Sequence, residues 1–236
     1  MKKHFYPIFA LFLVGVMFSC QSPKSNSTKE EAAGIDSMAP NPFITHMYTA
    51  DPSAHVWADG RLYVYASHDI DPPRGCDLMD RYHVFSTDDM VNWTDHGEIL
   101  NSSQVPWGRK EGGFMWAPDC AYKDGTYYFY FPHPSDTKWN DSWKIGVATS
   151  KEPAANFTVQ GYIEGMDPLI DPCVFVDDDG QAYIYNGGGQ ICKGGKLKDN
   201  MVELDGEMKE MEGLEDFHEA TCCLLYTSDA ADDRIS

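Results

Sequence analysis

The stretch Asp171-Pro172-Cys173-Val174-Phe175-Val176-Asp177-Asp178-Asp179-Gly180-Gln181-Ala182-Tyr183-Ile184-Tyr185 decides the fold. An apolar run entered through Asp-Pro, an acidic turn closed by glycine, and a second run with alternating tyrosines read as a β-hairpin. The layout occurs twice more. It runs from Asp51-Pro52 through Gly60 to Tyr63 and Tyr65, and from Ala117-Pro118 through Gly125 to Tyr128 and Tyr130. Each copy continues with a strand-like segment (Tyr82 to Ser86, Trp143 to Ala148), a Ser/Thr turn and a glycine-bearing strand (His96 to Leu100, Gln160 to Ile163). The third copy is looser and is expected to end near Leu204-Asp205-Gly206-Glu207. Such a unit is one four-stranded blade, so the chain reads as an all-β propeller entered from its N-terminal side.

The repeat separates scaffold from chemistry. Ala117 stands where the other copies carry Asp51 and Asp171, so the fold itself does not require a carboxylate there. A fourth copy begins near Glu219-Ala220 and brings a third carboxylate. Equivalent points on innermost strands face one channel, where residues distant in sequence meet.

Composition sets limits. With 236 residues, 42% hydrophobic and 13% aromatic, the chain is globular rather than disordered. A net charge of −19 argues against nucleic acid as a partner and for a neutral one. Residues 1–20 carry Lys2-Lys3, an apolar run from Phe5 to Phe18 and Ser19-Cys20. This is a signal peptide with a lipobox-like end, in which Cys20 is the candidate for acylation; Met17 replaces the usual leucine, and an ordinary secretory signal is the alternative. The protein is therefore expected to cross the inner membrane and to be held in the bacterial envelope, at the periplasm or cell surface, by a lipid anchor. Residues 21–40, rich in Ser, Lys, Asn and Glu, read as a flexible linker. Cys76, Cys120, Cys173 and Cys192 form no CxxC pair and read as buried thiols rather than zinc ligands.

The segment from Cys223 to Asp233 back-translates to the transposase adaptor used in preparing sequencing libraries. Residues 222–236 are therefore expected to be a non-native tail, with Cys222 sharing the junction codon, and the partial propeller to occupy residues 41–221. Three blades and the start of a fourth leave a ring open with an unpaired edge. The chain as it stands is expected to be poorly folded or inactive, and the functional reading concerns the protein it derives from.

Cleaving a glycosidic bond with inversion requires an acid to protonate the leaving oxygen and, across the ring, a carboxylate to activate water, roughly 6.5–9.5 Å apart. A propeller channel supplies such a pair from different blades. Asp51-Pro52-Ser53, Trp116-Ala117-Pro118, Ile170-Asp171-Pro172 and Phe217-His218-Glu219-Ala220, in that order on matching repeat positions, resemble glycoside hydrolase family 43. The resemblance implies a five-bladed propeller acting by inversion on arabinofuranosyl or xylosyl linkages of plant polysaccharides. It also implies Asp51 as general base, Glu219 as general acid, and Asp171 as the residue that tunes the acid and orients substrate. No cofactor is required, though some members hold a metal ion in the channel through a ligand expected beyond this chain.

Other residues are less specific. His55 and His218 flank the acids and are candidates for binding sugar hydroxyls or for structural roles. Among Trp57, Trp107, Phe114 and Trp116, the last stands closest in sequence to the site and is the candidate for stacking on a sugar. Asp177-Asp178-Asp179-Gly180 reads as a solvated hairpin turn, because Phe175 occupies what would be the first ligand position of a calcium loop. Two other readings remain open: a non-catalytic carbohydrate-binding propeller, which has no need of three converging acids, and a fructoside-acting enzyme, against which Ile170 before Asp171 counts. Which pentose is released, and whether from chain ends, depends on walls the motifs do not describe.

Overall fold

A computed structural model describes residues 42–71, 75–138, 141–166 and 168–222. The leader, Cys20, the linker and the tail after Cys222 lie outside the described residues. Twelve strands form three four-stranded antiparallel sheets, each in sequential order. Blade 1 holds β1 (Tyr48–Val56), β2 (Leu62–Asp69), β3 (Arg81–Thr87) and β4 (Trp93–Asn101). Blade 2 holds β5 (Asp119–Lys123), β6 (Thr126–Pro134), β7 (Trp143–Ser150) and β8 (Thr158–Tyr162). Blade 3 holds β9 (Ile170–Val176), β10 (Ala182–Gly188), β11 (Ile191–Lys196) and β12 (Lys209–Glu210). A four-residue helix, α1 (Gly75–Leu78), interrupts the link between β2 and β3.

The acidic turns are the hairpins their sequences predict. Asp124 and Gly125 both take positive φ, 50° and 77°, between the paired Lys123 and Thr126. That is the two-residue turn whose twist suits antiparallel strands. In blade 3, Gly180 N–H donates to the Asp177 carbonyl at 2.8 Å, closing the β9–β10 turn. The last strand of blade 3 departs from the expected position. Leu204 makes only an isolated bridge to Leu197, and β12 follows at Lys209–Glu210, where it pairs with Lys193 and Gly194. The reason is local: Lys198, Asn200 and Glu203 bond to one another around Met201, whose φ is 64°, and this compact turn delays the return of the chain.

Both faces of each inner sheet are covered, so burial follows the blade stack. Tyr65, Tyr82, Phe129 and Phe131 are fully buried between blades 1 and 2, and Tyr130, Ile145, Val174, Ile184 and Leu197 fill the space between blades 2 and 3. Each large side chain so buried contributes about 2–3 kcal/mol from area removed from water. Residues 42–47 cover the remaining face of blade 1, with Phe43 stacked on Trp93 at 3.8 Å. The second tyrosine of the repeat has a further task. Tyr65 donates its hydroxyl to the Pro153 carbonyl (2.7 Å) in the next blade, and Tyr130 donates to the Met201 carbonyl (2.9 Å) in the blade after that. The same sequence position thus latches successive blades through equivalent turns before β8 and β12.

Candidate active site

The innermost strands β1 and β9 are each broken by a bulge at Asp-Pro. On β1 three steps from Ala50 to Ser53 oppose two steps on β2, and on β9 three steps from Ile170 to Cys173 oppose two on β10. One extra residue per strand re-aims the side chain beside it. Proline suits the bulge because it has no N–H to leave unpaired. Asp51 and Asp171 sit there with φ of 49° and 51°, a conformation that L-residues other than Asn and Asp seldom adopt. In blade 2 the pairing of β5 with β6 is regular from Asp119 to Lys123, and Ala117-Pro118 lies before it.

The bulges open on a cavity of about 720 Å³ whose walls include Asp51, Asp171, Glu219, Trp116 and His55. Burial raises the pKa of Asp51, with the charges of Asp69 and Glu219 adding to the effect. Asp171 is pushed up to about 7, first by burial and then by Glu219 and Asp51, against a backbone hydrogen bond from Ala220. Tyr82, fully buried beneath the pocket, has its phenol raised by burial and then by both Asp51 and Asp171. Its hydroxyl donates to the Trp116 carbonyl at 2.7 Å. The fold brings the three sequence-distant acids to one place, and their mutual repulsion follows from it.

Glu219 reaches the pocket by a different route. Ala220 N–H donates to Asp171 Oδ2 (2.9 Å), the Thr221 hydroxyl donates to the Asp171 carbonyl (2.7 Å), and Gln190 N–H donates to the His218 carbonyl (3.1 Å). Phe217 packs on Gly187, where a Cβ would come within 2.5 Å of its ring. The left-handed residue here is Ala220, φ 65°, so by backbone conformation Ala220 and not Glu219 matches Asp51 and Asp171. The repeat equivalence expected for Glu219 is thus displaced by one residue, and the acid precedes the turn. Glu219 is exposed and lines the cavity.

The remaining candidates separate. Trp116 lines the cavity, its indole N–H donating to the Cys76 carbonyl (2.7 Å) and its ring tilted against Trp143 at 4.7 Å. Trp107 packs away from the cavity, against Phe131, His133 and Tyr162. His55 lines the cavity and stacks on Trp57 at 4.9 Å. Its Nε2 is 2.7 Å from Asp119 Oδ1. His218 is exposed and is not part of the cavity wall; its contribution is the backbone carbonyl. Cys120, Cys173 and Cys192 are buried and in no disulfide, whereas Cys76 is exposed at the cavity edge. Among the described residues no group of three or more His, Cys, Asp or Glu side chains is arranged to hold the metal ion that the resemblance allows. No described helix is long and apolar enough to cross a membrane.

Sequence reasoning did not single out Asp69, Tyr82 or Asp119. Asp119 carried the clearest signal: an acid between Pro118 and Cys120 on an innermost strand, where the neighbouring copies have Ser53 and Cys173.

Comparison with known proteins places this geometry. The model of glycosyl hydrolases family 43 matches residues 39–223. The chain is 46% identical over 157 residues to a xylosidase/arabinosidase 43A of Humicola insolens, covering 62% of this chain and 46% of that protein. It is 40% identical over 173 residues to a xylosidase/arabinosidase of Bacteroides ovatus, covering 68% and 51%. A solved beta-xylosidase/alpha-arabinofuranosidase from a compost microbial metagenome, in complex with xylotriose, superimposes with a TM-score of 0.64 at 37% identity, covering 74% of this chain and 62% of that one. The chain spans about half the length of these curated relatives. With three propeller blades, two Asp-Pro bulges and a glutamate converging on one cavity, the chain belongs to glycosyl hydrolase family 43.

Proposed function

We propose that the protein is an inverting glycoside hydrolase that releases arabinofuranosyl or xylosyl units from plant hemicellulose or arabinan. The convergence of Asp51, Asp171 and Glu219 on one cavity carries this reading. Asp51 acts as the base. Burial and neighbouring charge raise its proton affinity, which strengthens a base provided it is ionised at the working pH. It takes a proton from the water that attacks the anomeric carbon. Glu219 delivers a proton to the departing oxygen from the same cavity wall. Asp171 is coupled to both and bonded through Ala220 to the segment that carries Glu219, and so holds acid and substrate in register. Trp116 offers a ring to the sugar face. The names of the relatives support pentosides as substrates. The leader and Cys20 support work at the bacterial envelope on oligo- or polysaccharide.

The test is the anomer first released by the full-length protein, followed by proton NMR, together with Glu219→Gln. Inversion is expected. The variant should lose about 10²–10⁴-fold on alkyl pentosides and far less on nitrophenyl pentosides, whose leaving group needs little protonation. Retention of configuration would sink the mechanism. Tight binding of xylo-oligosaccharide without any turnover would favour the carbohydrate-binding alternative.

A further inference from the structure

We infer that Asp119 is a positioning residue that sets the placement of Asp51 relative to Asp171, an inference that rests on the hydrolase reading above. Asp119 is 5% exposed. Its two carboxylate oxygens reach both bulged strands. Oδ1 accepts from the Ser53 hydroxyl at 2.5 Å and contacts His55 Nε2 at 2.7 Å, and Oδ2 accepts from Val174 N–H at 2.6 Å. Ser53 and His55 are two and four residues past Asp51 on β1, and Val174 is three residues past Asp171 on β9. One side chain of blade 2 therefore ties blade 1 to blade 3 just beyond each bulge.

The bulged aspartates need such a tie. A non-glycine residue at φ near +50° costs about 1–3 kcal/mol and persists only where the surroundings over-determine it. The ladders with β2 and β10 restart at Ser53 and Cys173, so β1 and β9 are each held from their outer sides. Asp119 supplies the hold from the channel side, across the sheets. From the other end of the same segment, Tyr82 holds the Trp116 carbonyl. Asp119 bonds to the strands that carry Asp51 and Asp171 and to neither of their carboxylates, so it acts on them through the placement of those strands. Acid–base catalysis across a sugar ring is sensitive to such geometry, because a displacement of about 1 Å costs about 10²-fold in rate.

The experiment compares full-length parent, Asp119→Asn, Asp119→Ala and Ser53→Ala with Tyr65→Phe, which removes an inter-blade hydrogen bond at a residue outside the cavity wall. For each, kcat, KM, the pH profile and Tm are measured on a nitrophenyl pentoside. Asp119→Ala is expected to lower kcat about 100-fold with KM changed less than about threefold and the pH optimum unmoved. Asp119→Asn, which keeps the size but loses one acceptor, and Ser53→Ala should lower kcat by about tenfold. Tyr65→Phe should lower Tm and leave kcat within about twofold. If Asp119→Ala does not fold, Asp119→Asn and Ser53→Ala decide. Either of these folded with kcat within about twofold of the parent, or a loss no greater than in Tyr65→Phe at equal loss of Tm, overturns the inference. A parent that hydrolyses no pentoside overturns the hydrolase reading itself, a different result from active variants of an active parent.

Discussion

Blade 2 and its neighbours begin with nearly the same words and end with different tasks. Blades 1 and 3 place Asp-Pro inside the innermost strand, accept a one-residue bulge and a left-handed aspartate, and present that aspartate to the cavity. Blade 2 places Ala117-Pro118 ahead of a regular strand and puts its acid two residues later, where Asp119 also lines the cavity but accepts hydrogen bonds from both neighbours. Asp171 keeps one carboxyl oxygen clear of its bond from Ala220, whereas both oxygens of Asp119 are taken by protein donors and serve to hold. Propeller repetition lets one blade support the strain that two others carry.

The contrast is widest in turnover. Asp51→Asn is expected to reduce pentoside release by about 10³-fold or more in the full-length protein, whereas Ala117→Ser at the matching position of blade 2 should stay within about twofold. Comparable losses in both would show that position in the repeat, rather than the acid, matters. A smaller difference is expected in stability. Asp171, raised from the ordinary 3.8 to about 7, binds its proton more tightly in the folded protein than in the unfolded chain. Its stabilising contribution is full below about pH 4 and lost as pH rises through about 7. Asp171→Asn should therefore be more stable than the parent near about pH 8, by at most on the order of 4 kcal/mol, and the gap should close near about pH 4. Urea unfolding at the two pH values measures this, and a gap that widens on acidification would reverse the assignment of burial as the cause. The smallest effect belongs to the latches shared by blades irrespective of their chemistry. Tyr130→Phe leaves the Met201 carbonyl without its donor and should cost about 1–3 kcal/mol in thermal or urea unfolding. No measurable cost would remove the latch from the account of blade order.

How much was legible follows from which residues acted locally. Asp124-Gly125 and Asp177 to Gly180 were readable as turns because their φ preferences and short-range hydrogen bonds are properties of a few adjacent residues. Tyr65 and Tyr130 were readable as strand positions of the repeat, but their burial was not, because β2 and β6 are covered on both faces. Asp51 and Asp171 stood out through the contrast with Ala117. Register was less legible: Glu219 is offset by one from the left-handed position held by Ala220. His218, chosen for its neighbour, turned out to be exposed and outside the cavity wall. β12 arrived later than expected because a turn around Met201 bonded to itself.

The order of the strands, the hairpins between them and the candidacy of the two Asp-Pro acids were determined by the sequence alone, since each depends on residues a few places apart. Only the tertiary structure decided that Asp119 is a tie rather than a surface acid, that Tyr82 lies under the cavity, and that Asp171 holds its proton to about pH 7. Those properties arise where strands separated by 50 residues or more are packed side by side, as Asp119 and Val174 are at a separation of 55. Burial and neighbouring charge, which set them, do not exist until the blades have met.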